Sequence, residues 1–498
     1  MACIRGDEML KDIFSENIEL ATNAIAKAIE ADRAAENKVR ARQGLKYYKG
    51  EHDILEYKLY YFDSNGRIHE ELNRSNIKIP HMYHTELVDQ KVQYLLSKPV
   101  EIETDDEQFK AALDEYINEK FQEVLQDALE GASNKGTEYV YAYLTNEGKI
   151  GFQAADSLGV IPVQDETDSN NLIGILRYYT TMAQDAKGNE VPITKAEIWT
   201  DKNTTYYTQT AKSKVYQLDS GVSPNPMPHI LMADDKQLYD GGGLGYIPFF
   251  KLQNNKYEST DLEPIKELID DYDLMACSLS NNLQDFQDAI YVVKGYPGDN
   301  LDELATNLKT KKIIGLDEEG GIDVKTVEIP VAARETKLRL DREAIYKFGM
   351  GVDSLQSGDG NITNIVIKSR YALLDLKCNK AEGRLRTLVR SLLKAIVEDI
   401  NRRTGKAYDY TSPKIKINRE MMVNEDSLVA NAKVEAETLG KKIENVLLAS
   451  MISEETKLRL VCELLELDFE EEQAKLLEEG PYTVDGNLVD QLTGGAEE

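Results

Sequence analysis

Between Asn364 and Arg402 the chain runs without a proline, and its second half sets Leu385, Leu388, Val389, Leu392, Ile396 and Ile400 on one face at helical spacing. The spacing predicts one helix of about 38 residues, about 57 Å long at 1.5 Å per residue. Such a rod is longer than a small domain is wide, so the rest of the chain has to lie along it or form separate parts. Gly383 in its interior weakens it by about 1 kcal/mol relative to alanine, and a kink is expected there. At 498 residues, two or more domains or one elongated multi-part subunit are expected.

Around this helix the periodicity alternates between 3.6 and 2. Ser15 to Gln43 is rich in Ala, Glu, Lys and Arg and predicts one long helix ended by Gly44 or Gly50. Asn73 to Pro80 alternates like a short strand or extended arm, and His81 to Leu96 has helical spacing that Pro99 stops. Helices are expected at Asp106 to Glu119 and Phe121 to Ser133, with Gly136 marking a change of period. Strands follow at Glu138 to Leu144, Ile150 to Gln153, Val160 to Val163, Ile173 to Tyr179, Ala196 to Thr200 and Thr204 to Thr208, with turns supplied by Asn, Asp and Gly. Gly221 to Gly245 reads as a long surface loop.

A helix from Leu262 to Asp285 precedes a small mixed unit: a strand at Ile290 to Lys294, a short helix at Leu301 to Leu308, and strands at Lys312 to Leu316 and Ile322 to Glu328. Pro330 then opens a helix from Val331 to Phe348, and Gly349 to Thr363 is a glycine-rich break. Beyond Asn424 the pattern gives short helices, one starting at Ser453, and a frayed tail over the last 18 residues. The expected class is α+β, mainly helical.

Hydrophobic residues at 41% and charged residues at 30% indicate a folded soluble chain. No apolar run reaches the roughly 18 residues a membrane span needs, and the N-terminus lacks the grammar of a signal peptide, so no membrane association is expected. The cysteines Cys3, Cys277, Cys378 and Cys462 are far apart and read as reduced thiols. A formal charge of −29 argues against a protein that grips nucleic acid through its overall field. It does suit a wall that a duplex passes without sticking, because an acidic surface repels phosphates.

Few motifs carry chemistry. Gly148-Lys149, Gly405-Lys406 and Gly440-Lys441 lack the upstream glycine and the following Ser or Thr of a P-loop. The glycines at 241–245 lead into Ile247-Pro248-Phe249-Phe250, where a dinucleotide site requires a helix. No cofactor is expected. His81 and His84, with Glu86 and Asp89 nearby, have the spacing of a metal pair on a helix but lack the H-E-x-x-H order, so they read as polar residues at a helix start and no metal site is expected. His52, His69 and His229 are scattered among polar residues.

Asp261, Glu263, Glu267, Asp270, Asp271 and Asp273 form an acidic stretch, read either as a solvated face or as a DNA-repelling wall. On the helix after Pro330, Arg339, Lys337 and Lys347 have Glu335, Asp341 and Glu343 four residues away and are expected to pair with them. Arg334 and Arg342 have no such partner, and repeated around a ring they would make a narrow basic band facing phosphate.

Several stretches resemble the portal proteins of Gram-positive siphophages: Tyr47-Tyr48-Lys49-Gly50, Asn76-Ile77-Lys78-Ile79-Pro80, the run from Val88 to Val100, and Gly245 to Phe250 leading through Asn254-Asn255 to Asp261-Leu262. So does the later order of helix, small insert, helix, loop and long helix. The resemblance implies an elongated subunit with wing, stem, clip and crown. Carried onto this chain, the wing is 1–260, helical at first and β-rich over 137–251. The stem is 261–288 and 331–350, the clip 289–330 and the tunnel loop 351–363. The long wing helix and a following strand take 364–423, the crown 424–480 and a flexible tail 481–498.

The resemblance further implies a homo-oligomeric ring, typically of twelve subunits, at one capsid vertex of the virion, assembled in the host cytoplasm. Double-stranded DNA passes through it non-specifically. The packaging terminase and then a head-completion adaptor dock on it, beside major capsid and scaffolding proteins. The loop expected to touch DNA is Ser354, Leu355, Gln356, Ser357, Gly358, Asp359, Gly360 and Asn361, small and polar with two glycines and no Lys or Arg. Arg334, Lys337, Arg339 and Arg342 are the expected channel-lining stem residues. No catalytic residue is expected. The competing readings are an acidic metal-dependent nuclease or hydrolase at His81 and His84, and another oligomeric virion structural protein.

Overall fold

The computed structural model describes residues 12–15, 17–72, 74–145, 147–164, 172–184, 188–210, 215–234, 237–285, 290–294, 321–325, 330–353, 364–419, 438–449, 451–465, 469–470 and 473–475. The chain divides into two compact units, Met1–Ser357 with Arg370–Met421, and Gly358–Ser369 with Met422–Glu498. The class is α+β, mainly helical with several antiparallel sheets.

In the larger unit the single N-terminal helix expected from propensity is two, α1 (Ile18–Ala34) and α2 (Glu36–Tyr48). Between them Ala35 is extended, at φ −62° and ψ 139°. The cause is tertiary. α1 buries Ala24, Ile25, Ala28 and Ile29 against a sheet, whereas Lys38 at the start of α2 turns inward to donate to the carbonyls of Ser157 and Val160 and to pair with Asp32 at 3.4 Å. Gly44 does not end α2. It lies inside the helix, where an added Cβ would sit 1.9 Å from the carbonyl oxygen of Asn134, so glycine is there to allow the close approach. The left-handed Gly50, at φ 77°, follows the helix end.

A small hairpin, β1 (Tyr60–Phe62) and β2 (Ile68–Glu70), leads to the stretch 74–80, which is an extended arm and not a strand. α3 (Tyr83–Leu95), β3 (Glu101–Glu103), α4 (Glu107–Asp114) and α5 (Glu119–Lys135) follow, the last closed by Gly136 at φ 80°.

β4 (Thr137–Leu144), β5 (Ile150–Ala155) and β14 (Phe249–Gln253) form one sheet in the order β14-β4-β5. A second is a meander of β6 (Val160–Gln164), β7 (Leu172–Gln184), β8 (Glu190–Trp199), β9 (Asn203–Thr210) and β10 (Gln217–Leu218), with β11 (Met227–Pro228) also on β9. β7 and β8 pair from Ile175↔Trp199 out to Gln184↔Glu190, further than alternation suggested, and over their outer half no side chain is fully buried, one face being exposed and the other half-buried. The segment read as a loop, Gly221 to Gly245, holds β11 and a hairpin of β12 (Leu231–Asp234) and β13 (Gln237–Asp240).

α6 (Lys266–Asp285) is followed by β15 (Ile290–Lys294), paired antiparallel with β16 (Gly321–Lys325), and then by α7 (Val331–Gly349). The helix expected at Leu301 to Leu308 and the strand at Lys312 to Leu316 lie outside the described residues. α8 (Asn364–Thr404) is unbroken at Gly383, where an added Cβ would meet nothing within 4 Å. Leu385, Leu388, Val389, Leu392, Ile396 and Ile400 are all buried, in one core with α3, α4, α5, β4 and β5. At about 1.5–3 kcal/mol for each buried aliphatic side chain, this stripe is the main reason the helix holds its length. β17 (Lys414–Lys416) then pairs with β3.

In the smaller unit residues 438–448 are helical, and a helix at Glu454–Leu465 starts as expected at Ser453, whose hydroxyl accepts from the Thr456 amide at 3.3 Å.

Candidate functional site

α6 and α7 pack antiparallel, since Ile269 shares a core with Ile345 and Tyr346 while Asn282, nearer the other end of α6, meets Arg334. Tyr47, Leu87, Leu262 and Ile265 complete that core. The four cations expected to line a channel all lie on α7, and each has a partner. Arg334 Nη1 and Nη2 lie 2.9 and 2.6 Å from the Asn282 side-chain amide and donate to its oxygen once that amide is turned to face them. Lys337 is held between Asp271 and Asp341.

Arg339 pairs with Glu343 at 2.7 Å and not with Glu335. Arg342 is not unpartnered: it grips Asp353 with Nε at 3.1 Å and Nη2 at 2.6 Å, and its guanidinium lies 5.6 Å from the Tyr346 ring. Its carboxylate comes from the chain after the helix, which spacing within the helix does not reveal. Ser354, Leu355, Gln356, Ser357, Gly358, Asp359, Gly360 and Asn361 lie outside the described residues.

Another face of α6 holds the arm. The amides of Ser75, Ile77, Ile79 and His81 donate in turn to Asp285 Oδ1 (3.0 Å), Asn281 Oδ1 (2.7 Å), Cys277 Sγ (3.3 Å) and Asp273 Oδ1 (2.9 Å). The acceptors are four residues apart and the donors two apart. Four residues of helix advance about 6 Å, and two residues of extended chain about 6.6 Å. The two repeats nearly match, so an extended segment runs antiparallel along a helix with every second amide satisfied by a side chain.

Asp273 ends this row and is fully buried. Its two oxygens take His52 Nδ1 and His81 Nδ1, each at 2.7 Å, besides the His81 amide. Burial by itself would raise the Asp273 pKa, but the hydrogen bonds from His52 and His81 outweigh it and hold the carboxyl below its ordinary value. Nothing local in sequence predicts this node, because the two histidines lie more than 190 residues from the aspartate.

The acidic stretch around α6 is therefore only partly a solvated face: Glu263 and Glu267 are exposed, whereas Asp261, Asp270, Asp271 and Asp273 are engaged by partners. Asp261 is largely buried and pairs with Lys91 at 3.0 Å and Lys377 at 3.1 Å. Burial opposes its charge, yet the two lysines drive its pKa far below the ordinary carboxylate range. Asp270 accepts from Tyr47 and Lys266, Asp271 pairs with Lys337, and Glu263 accepts from the Thr260 amide at 2.8 Å.

His81 and His84 do not converge on a metal. His81 turns to Asp273, whereas His84 is buried with Nε2 3.0 Å from Asn134 Oδ1, and burial pushes its pKa down to about 4. Among the described residues no group of three His, Cys, Asp or Glu side chains is placed to hold a metal ion. Cys277, Cys378 and Cys462 are free and buried. Among the described residues no helix is long and apolar enough to cross a membrane.

Comparison with known proteins covers nearly the whole chain. Residues 28–482 match the family model described as phage portal protein, SPP1 Gp6-like. The portal protein of Bacillus phage SPP1 is 30% identical over 495 residues, 98% of this chain and 92% of its own length. The portal protein of Clostridium phage phiCD119 is 26% identical over 412 residues, 77% of this chain and 86% of its own length.

Proposed function

The chain belongs to the SPP1 Gp6-like family of phage portal proteins, and from that premise we propose how its parts share the work of a portal. A portal is a non-catalytic virion component: a ring of identical subunits at one capsid vertex that forms the DNA channel for packaging, retention and ejection of the genome. The observation that carries this function is the family match across residues 28–482, which runs from the latter part of α1 into the smaller unit.

In our reading α6 and α7 are the stem and β15–β16 belongs to a clip over 289–330. The wing takes 1–260 and the long helix, 351–363 is the tunnel loop and 424–480 the crown, while the expected tail, 481–498, lies outside the described residues. Support for the stem assignment comes from the antiparallel pairing of α6 with α7 and from the strand pair inserted between them. The packaging terminase docks on the clip and hydrolyses ATP, and a head-completion adaptor replaces it there once the head is full. Capsid and scaffolding proteins surround the wing, and twelve subunits close the ring.

Arg334, Lys337, Arg339 and Arg342, with the loop 354–361, line the channel. Because Lys337, Arg339 and Arg342 are ion-paired within the subunit, a duplex meets a nearly neutral surface whose phosphate contacts exchange easily. The net charge of −29 keeps the rest of the subunit from holding DNA.

Negative-stain averages of the purified full chain test the reading. Rings with a central hole are expected, and a chain that stays monomeric at every concentration overturns it. In a packaging reaction with its terminase, Arg339→Glu is expected to slow DNA entry. Unchanged packaging removes Arg339 from the lining.

A further inference from the structure

The hairpin β1–β2 is apolar in the wrong place for an isolated chain. All six of its strand residues are exposed, with Tyr60 at 61%, Phe62 at 72% and Ile68 at 63%, and Leu72 just beyond it at 81%. An isolated two-stranded hairpin is marginal in water, and this one does not owe its order to a core.

Local polar contacts shape it instead. Asp63 Oδ1 accepts from the amides of Asn65 and Arg67 at 2.8 and 2.9 Å, and Gly66 takes the left-handed position at φ 76°. Its root is tied to the arm: Asn76 donates to the Tyr57 carbonyl at 3.3 Å and Lys78 to that of Leu55 at 3.0 Å. The arm in turn is fastened along α6. An exposed apolar prong is thus mounted on a rigid strut.

We propose that this prong, residues 57–72, docks on the neighbouring copy of the same chain and clasps adjacent subunits of the ring. The inference rests on the portal reading, which places an identical neighbour on each side. Two further observations favour a second copy. The first is charge. Copies of a chain at −29 repel one another, but the prong is nearly neutral, with Lys58 and Arg67 against Asp63, Glu70 and Glu71, and it pairs Lys58 with Glu70 at 2.9 Å and His69 with Asp63 at 3.0 Å beside its exposed apolar rings.

The second is area. Tyr60, Phe62 and Ile68 share one face of the hairpin, with Tyr61 and His69 on the other, and that face exposes about 400 Å² of apolar side chain. This is the size of the largest apolar patch on an ordinary soluble chain, which is often functional, yet below the about 800 Å² per partner of a self-sufficient complex. It suits one contact among several in a ring interface.

The test uses the purified full chain without other virion proteins. Phe62→Glu with Ile68→Glu is expected to leave far-UV circular dichroism and melting of the monomer unchanged, because neither side chain is in a core. Ring formation in sedimentation and negative stain should need at least tenfold more protein. With p-benzoylphenylalanine in place of Phe62, irradiated wild-type-like rings should yield covalent ladders of this chain alone.

Rings formed by the double variant at the wild-type concentration overturn the proposal, as do crosslinks that appear only in proheads and only to another virion protein. A wild-type chain that forms no rings is a separate failure, since it removes the portal reading on which the proposal rests.

Discussion

Asp273→Ala is the sharpest test of how α6 is held. The carboxylate is fully buried and accepts from His52 Nδ1 and His81 Nδ1 at 2.7 Å and from the His81 amide at 2.9 Å. Hydrogen bonds to a charged group are worth about 1.5–3 kcal/mol each and are not additive, and removing one partner of a buried ionic contact costs about 3–5 kcal/mol. We therefore expect a loss of about 3–5 kcal/mol, carried mainly by release of the arm.

Hydrogen exchange of the 75–81 peptide in the monomer reads this directly. At 1.36 kcal/mol per tenfold, protection of Ile77, Ile79 and His81 should fall by roughly 100-fold or more. Asn281→Ala removes one neutral acceptor and should cost only about 1 kcal/mol. If Asp273→Ala exchanged like wild type over 75–81 and melted within about 0.5 kcal/mol of it, the idea that side chains of α6 fasten the arm would be refuted.

Other outcomes follow from single positions. Gly383→Ala in α8 should stabilise by about 0.5–1 kcal/mol, since its Cβ enters open space, and a higher melting temperature checks it. Gly44→Ala should destabilise by about 1–3 kcal/mol, because the Cβ meets a backbone carbonyl of α5 that cannot swing aside, and urea unfolding reads the loss. His84, held at about 4 by burial against 6.5 unfolded, makes the unfolded chain take up its proton first. Its contribution is complete above pH 6.5 and is lost as pH falls toward 4. The full loss is about 3 kcal/mol, and stability measured between pH 7 and 5 should fall less in His84→Gln than in wild type.

Much of the architecture was readable from periodicity. The α8 stripe from Leu385 to Ile400, the strand pattern after Gly136, the helix pair around a small insert and the start at Ser453 all follow from local rules, because burial on one face imprints a repeat on neighbouring residues. The family was legible too, in the ordered combination of stretches from Tyr47 to Leu262.

What local rules missed involves partners far apart in the chain. The break at Ala35 depends on Lys38 reaching Ser157 and Val160, and the helical Gly44 depends on α5. Arg342 finds Asp353 beyond its own helix. The acidic run at 261–273 read as a solvated face or a DNA-repelling wall, yet Asp261 is largely and Asp273 fully buried, with Lys91, Lys377, His52 and His81 arriving from elsewhere.

By itself, then, the sequence determined most of the helices and strands, which faces of them turn inward, and which family the chain joins, since each of these is written largely in neighbouring residues. Only the tertiary structure decided which charges are neutralised, where an extended arm is fastened to a helix, and which apolar side chains are left outside. Those outcomes depend on distances between residues that only folding brings together.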